Sequence, residues 1–211
     1  MAGARKELET RTLAGRFLAP AVRGAALVLA FAACGPASGQ THPRVRIHTD
    51  LGDVTVEVLA DKAPVTAANF LRYVDEGRYA GAAFYRIRKD PAVPFQGTTG
   101  IVQGGQWYGD STRLLPPIPL ESTRKTGLKH VDGAVSMARF GPPNSARSEF
   151  FVVLGDQPYL DWRDETPDGQ GYAVFGRVED GMDVVRRIQG LPAEGERLRT
   201  PVRILSITRM R

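Results

Sequence analysis

A mainly β domain, made of many short strands with two helices and closed or nearly closed as an antiparallel barrel, is what this sequence predicts. Three observations carry the prediction. Apolar and polar residues alternate over short runs, Gly/Asp/Asn/Pro clusters punctuate those runs, and only two stretches have helical spacing. Periodicity by itself leaves a sandwich or a lipocalin-like barrel open.

The elements follow in order. Val45 and Ile47, then Val54, Val56 and Val58, alternate on either side of Asp50-Leu51-Gly52-Asp53, a hairpin signal. Pro64 to Glu76 reads as a helix: Pro64 suits the first turn, Phe70, Leu71 and Val74 form an apolar stripe, and Gly77 can end it. Ala82 to Arg88 alternates again. Ala134 to Ala138 and Glu149 to Val153 read as short buried strands joined by a Gly/Pro/Asn/Ser loop, with Phe150 and Phe151 sending one ring to each face. A second helix, Met182 to Ile188, is amphipathic through Met182, Val185 and Ile188 and ends near Gly190; Val202 to Arg209 is a closing strand.

The first 34 residues stand apart. Arg5, Lys6, Arg11, Arg16 and Arg23 oppose only Glu7 and Glu9, and the apolar run Ala25 to Ala33 ends at Cys34. Nine apolar residues fall short of the ~20 that span a bilayer but suit the core of an export signal. Phe31-Ala32-Ala33-Cys34 resembles a bacterial lipobox with Phe in place of the usual small aliphatic residue, so Cys34 is the expected lipidation site and would tether the chain to a membrane. Ala37-Ser38-Gly39 offers a competing cleavage site for free secretion. The single cysteine excludes an intrachain disulfide. Expected boundaries are an export signal over 1–34, a polar linker over 35–43 and one domain over 44–211, placed in the cell envelope or periplasm.

Charge argues against nucleic acid. The chain has 28 basic and 23 acidic residues; taking away the five and two of the first segment leaves 23 against 21, interspersed as on an ordinary solvated surface. Chemistry is limited in the same way. No two of His42, His48 and His130 have zinc-ligand spacing, and there is no Gly-x-Ser-x-Gly elbow or phosphate-cradling glycine loop. The acidic cluster from Asp161 to Asp168 fails the calcium-loop pattern. No metal or cofactor is expected. A chain without equipment for acid/base or covalent catalysis fits a reaction in which no bond breaks.

Four ordered blocks give that reaction a candidate: Phe84-Tyr85-Arg86-Ile87, Ile101-Val102-Gln103-Gly104-Gly105, the stretch from Gly133 to Val153, and Tyr172 to Val178. With them the chain resembles the cyclophilin-type peptidyl-prolyl isomerases, bacterial exported members in particular, from Val45 to the C-terminus. The resemblance implies an eight-stranded barrel capped by two helices, a monomer, and proline-containing polypeptides as partners. It also implies roles: Arg86 as the catalytic arginine, Gln103 as the glutamine that holds the substrate backbone, and Phe151 as the floor of the proline pocket. Met137 and Leu160 read as groove lining or simple core, Ile101, Tyr159 and Tyr172 would line the groove, and Ala138 and Arg139 would offer backbone groups. His130 also matches a family pattern and reads as structural.

The departures are specific. Arg86 and Gln103 are 17 residues apart where the family has eight, so Lys89 to Gly100 reads as an inserted loop. Gly100-Ile101 stand where the family has an aromatic pair. Tyr172 replaces a histidine, Tyr159 a tryptophan and Glu149 a glutamine. The insertion is apolar around Val93 to Phe95, so it is expected to fold over the groove or the barrel edge, with Phe95 as a candidate replacement for the missing aromatic. Two other readings stand beside the isomerase: a proline-binding or chaperone module with little turnover on the same fold, and a barrel enclosing a small apolar ligand.

Overall fold

The structure is a computed structural model that describes residues 42–93, 97–106 and 110–211. The segment expected to be an export signal, with Cys34, most of the expected linker, and Phe95 lie outside the described residues.

Strands β1 (Arg44–Thr49) and β2 (Gly52–Val58) form the expected first hairpin. Helix α1 (Pro64–Asp75) leads to β3 (Ala83–Val93) and β4 (Gly97–Gly105). Then come a one-turn helix α2 (Thr123–Thr126), β5 (Ala134–Met137), β6 (Phe150–Leu154) and β7 (Ala173–Asp180). Helix α3 (Met182–Gly190), the two-residue β8 (Ala193–Glu194) and the long β9 (Arg197–Arg209) complete the chain.

Antiparallel pairing runs β1-β2-β7-β5-β6-β4-β3-β9, and β9 returns to β1 with Ile47 opposite Ile207. Eight strands therefore close a barrel, and β8 is a short arm on β9. Closure leaves no long unpaired edge. The sandwich reading falls with the β1–β9 pairing. The barrel interior is filled rather than hollow: α1 drives Phe70 against Phe150 and Phe175, with ring centroids 5.7 and 4.9 Å apart, and Phe84 meets Phe150 at 5.8 Å. An enclosed apolar ligand has no place among these rings.

Two details depart from expectation. There are three α-helices among the described residues, not two; α2 is a single turn closed by Gly127 at φ 72°, too short to leave a periodic signal. The stretch read as an inserted loop is instead a continuation of the β3–β4 hairpin, with Lys89 opposite Gly100, Asp90 opposite Thr99 and Val93 opposite Gly97. Pairing to β6 stops at Gly100, so the hairpin leaves the barrel wall there. The start of α1 has no local cap. Glu121, far along the chain, accepts from the Val65 and Thr66 backbone N–H groups at 3.1 and 2.7 Å.

Alternation assigns the faces. Phe150, Val152 and Leu154 of β6 enter the barrel, while Phe151 and Val153 pack outside with Ile101, Ala134, Leu160 and Val174. This second, outer apolar cluster is what lies beside the functional groups.

Candidate active site

The site is built where β3, β4 and β6 run side by side. A register shift between Phe84 and Arg86 breaks the alternation of β3. Phe84 and Ile87 both enter the core, and the two residues between them, Tyr85 and Arg86, both face a cavity on the outer surface. Gln103 stands opposite Arg86 on β4, and Phe151 stands opposite Gln103 on β6. The three residues expected to carry the chemistry are thus neighbours across three adjacent strands.

Arg86 is held from two sides. Its Nη1 donates to Gln103 Oε1 at 2.6 Å, while Nε and Nη2 donate to Glu196 Oε2 at 2.8 and 2.5 Å. Glu196 sits in the turn from β8 to β9, and its carbonyl accepts from the Ile87 backbone N–H at 2.7 Å, which fixes that turn against β3. Gln103 in turn donates through Nε2 to the Tyr85 hydroxyl at 2.8 Å, and Tyr85 donates to Glu149 Oε2 at 2.6 Å. Gly105, at φ 141°, lets Glu149 come this close: a Cβ there would lie 2.6 Å from the carboxylate.

The adjoining cavity is about 590 Å³, lined among others by Arg86, Gln103, Ala138, Arg139 and Glu149, with Phe140 on its wall at 57% exposure. Arg139 does not aim its charge at the cavity. Its guanidinium ties loops together by donating to the carbonyls of Phe140, Gly141, Pro167 and Gly171, and it lies over the Tyr172 ring at 5.1 Å.

On the other side of Gln103 lies the outer apolar cluster. Phe151 is only 2% exposed. Tyr172 meets it edge-on at 5.4 Å, and the His130 ring lies parallel to it at 6.0 Å. His130 is buried, with Nδ1 2.8 Å from Asp161 and Nε2 3.0 Å from Ser136. Burial pushes its pKa below the ordinary value, against the pull of Asp161, so it is a neutral ring that donates to the carboxylate and accepts from the hydroxyl. The Ser–His–Asp geometry is fully enclosed and supports Phe151 rather than exposing a nucleophile. Tyr159 completes the cluster. Arg88 lies over its ring at 4.6 Å, Asp90 pairs with Arg88 at 3.0 Å, and burial pushes the Tyr159 hydroxyl up to about 12. The extended hairpin supplies both charged residues.

Of the expected site residues, Arg86, Gln103, Ala138 and Arg139 line the cavity, and Phe151, Ile101, Leu160, Tyr159 and Tyr172 gather in the apolar cluster, which Ala138 also touches. Met137 does not join them. It is 1% exposed and packs in the barrel core, because β5 alternates and Met137 shares its inward face with Val135. Sequence reasoning missed Tyr85 and Glu196. The first had a signal, since Phe84 and Ile87 are apolar three residues apart and cannot both point inward on a regular strand. The second had none, because only the β8–β9 turn brings it near.

The description of cyclophilin type peptidyl-prolyl cis-trans isomerases matches residues 44–209, nearly all of the barrel. The chain belongs to the cyclophilin family. This cyclophilin is 35% identical over 153 residues to peptidyl-prolyl cis-trans isomerase cyp18 of Streptomyces antibioticus, covering 72% of this chain and 87% of the relative. It is 36% identical over 147 residues to peptidyl-prolyl cis-trans isomerase B of Escherichia coli, covering 70% and 84%. The barrel also superposes on the crystal structure of a Cryptosporidium parvum cyclophilin obtained in the presence of the dipeptide Ala-Pro, with a TM-score of 0.63 at 24% identity, over 80% of this chain and 99% of the other. The chain is a cyclophilin-type peptidyl-prolyl cis-trans isomerase.

Proposed function

We propose that this isomerase turns X–Pro bonds in exported polypeptides, seating the proline on the apolar cluster around Phe151 and stabilising the twisted amide with Arg86. The observation that carries this reading is the register that sets Arg86 opposite Gln103 and Gln103 opposite Phe151, with the Arg86 guanidinium on the cavity wall and held by Gln103 and Glu196. Rotation about the peptide bond faces a barrier of ~18–20 kcal/mol because resonance is lost at the perpendicular geometry. An enzyme lowers it by binding the twisted form more tightly than either planar one. Three of the five N–H groups of Arg86 are engaged, which leaves two to meet the carbonyl oxygen or the pyramidal nitrogen. A preorganised donor of this kind contributes ~2.7–4 kcal/mol to the transition state. The Ala-Pro dipeptide named with the Cryptosporidium structure is the ligand class this reading requires.

The basic, apolar and Cys34-ending N-terminus supports delivery to the cell envelope, with lipidation of Cys34 as the anchor and the domain working as a monomer. Two measurements test the proposal. A protease-coupled assay on a short Ala-Pro peptide should show turnover; binding without turnover would replace the enzyme on exported chains by a proline-binding module. Mass spectrometry of the native N-terminus should find a lipid-modified Cys34. A chain starting at Gln40 would refute the anchor but keep export, and an intact Met1 in the cytoplasm would refute both.

A further inference from the structure

We propose that Glu149 and Glu196 are positioning residues for the isomerase reaction, holding opposite ends of one hydrogen-bond chain that runs Glu196–Arg86–Gln103–Tyr85–Glu149. The inference rests on the reading of Arg86 and Gln103 as the groups that meet the substrate. Every link of the chain is 2.8 Å or shorter.

The chemistry of its members fixes the direction of the chain. Arginine has only donors, so Gln103 must turn its carbonyl oxygen to Arg86 and its amide nitrogen to Tyr85. The Tyr85 oxygen then accepts from Gln103, so its own proton goes to Glu149, and an ionised carboxylate can only accept. Burial, together with the Glu149 charge and hydrogen bond, raises the Tyr85 hydroxyl far above its ordinary value and keeps it a donor. The family has a glutamine at position 149, whose amide could donate or accept; the carboxylate in this chain removes that freedom.

At the other end, Glu196 takes two N–H groups of Arg86 on one oxygen and so sets the rotation of the guanidinium plane. The consequence for the groove is a matter of sign. The Gln103 carbonyl is turned to Arg86, so the groups of Arg86 left to offer a bound peptide are N–H donors. An X–Pro amide has only acceptors at the rotating bond, since proline lacks an N–H. A reversed Gln103 would turn its N–H groups against the Arg86 guanidinium, donor against donor, and leave the arginine unheld on that side.

The test uses the full chain with Tyr85→Phe, Glu149→Gln, Glu196→Gln and Arg86→Ala, each checked for folded fraction by circular dichroism, and steady-state kcat and KM on an Ala-Pro peptide. Tyr85→Phe should lower kcat roughly 10- to 100-fold, the loss expected for a hydrogen bond to a charged group, and Glu149→Gln, which keeps a carbonyl acceptor, roughly 3- to 10-fold, with KM changed by less than about twofold in both. The double variant Tyr85→Phe/Glu149→Gln should be no slower than Tyr85→Phe alone, because a chain already cut gains nothing from its far end. Glu196→Gln should lower kcat by itself and multiply with Tyr85→Phe, since it acts from the opposite side. Losses that multiply for Tyr85→Phe and Glu149→Gln, or wild-type kcat in both, would overturn the chain while an impaired Arg86→Ala left the mechanism standing. A faster Glu196→Gln enzyme would make that contact a brake and overturn its role. Full activity in Arg86→Ala would overturn the mechanism and the positioning together.

Discussion

Arg86→Ala should cost this cyclophilin about 10²–10³ in kcat/KM while leaving the barrel folded. The magnitude is that of one preorganised transition-state donor. Folding should survive because the Arg86 side chain is 40% exposed and its ion pair with Glu196 is exposed at both ends, an interaction that contributes little to stability. Arg86→Lys should recover little. An ammonium keeps the charge, but it cannot reach Gln103 and Glu196 in one plane and still present two further donors. The informative measurement is isomerase activity at matched folded fraction. Activity equal to wild type would show that the reaction runs elsewhere on the molecule.

Phe151→Ala should act on stability and on substrate at once. The ring is buried between Tyr172 and His130 and packs with Ile101 and Leu160, so its removal should cost about 3–5 kcal/mol through lost transfer energy and the cavity left behind. For a domain of this size that is a drop of roughly 6–20 °C in Tm. Peptide affinity should fall as well, because the seat proposed for the proline ring would be lost. Phe151→Leu should restore most of the stability and less of the affinity, since a branched aliphatic fills volume without offering a flat face. Thermal unfolding together with peptide titration separates the two effects; a Tm within about 2 °C of wild type would mean that the cluster is not the support described for it.

The sequence carried most of the barrel because alternation is a local signal. Val54, Val56 and Val58 or Phe150, Val152 and Leu154 announce which face is inside without reference to the rest of the chain. Arg86, Gln103 and Phe151 could be singled out because each lies in a short block of recognisable order, and the pairing of β3, β4 and β6 makes them neighbours. The same alternation, taken from Val135, decides between the two readings of Met137 and puts it in the core. What escaped was non-local. Glu121 capping α1 and Glu196 clamping Arg86 depend on loops whose paths no periodicity describes. Tyr85 lay in plain view but behind a register shift, and a strand with a bulge reads as a strand with an error.

The hairpin extension has one further consequence, and it turns on Gly100. A Cβ at that position would lie 1.9 Å from the Arg88 carbonyl oxygen, in a backbone with φ 132° that side chains rarely adopt. Gln189 of α3 adds a lock there, donating to the carbonyls of both Arg88 and Thr99 at 3.2 and 3.1 Å. A side chain at position 100 therefore cannot be introduced by one substitution while the hairpin stays. In this chain the paired extension and a side chain at position 100 exclude each other, and only an exchange of the whole β3–β4 tip together with its glycine would admit a wall there.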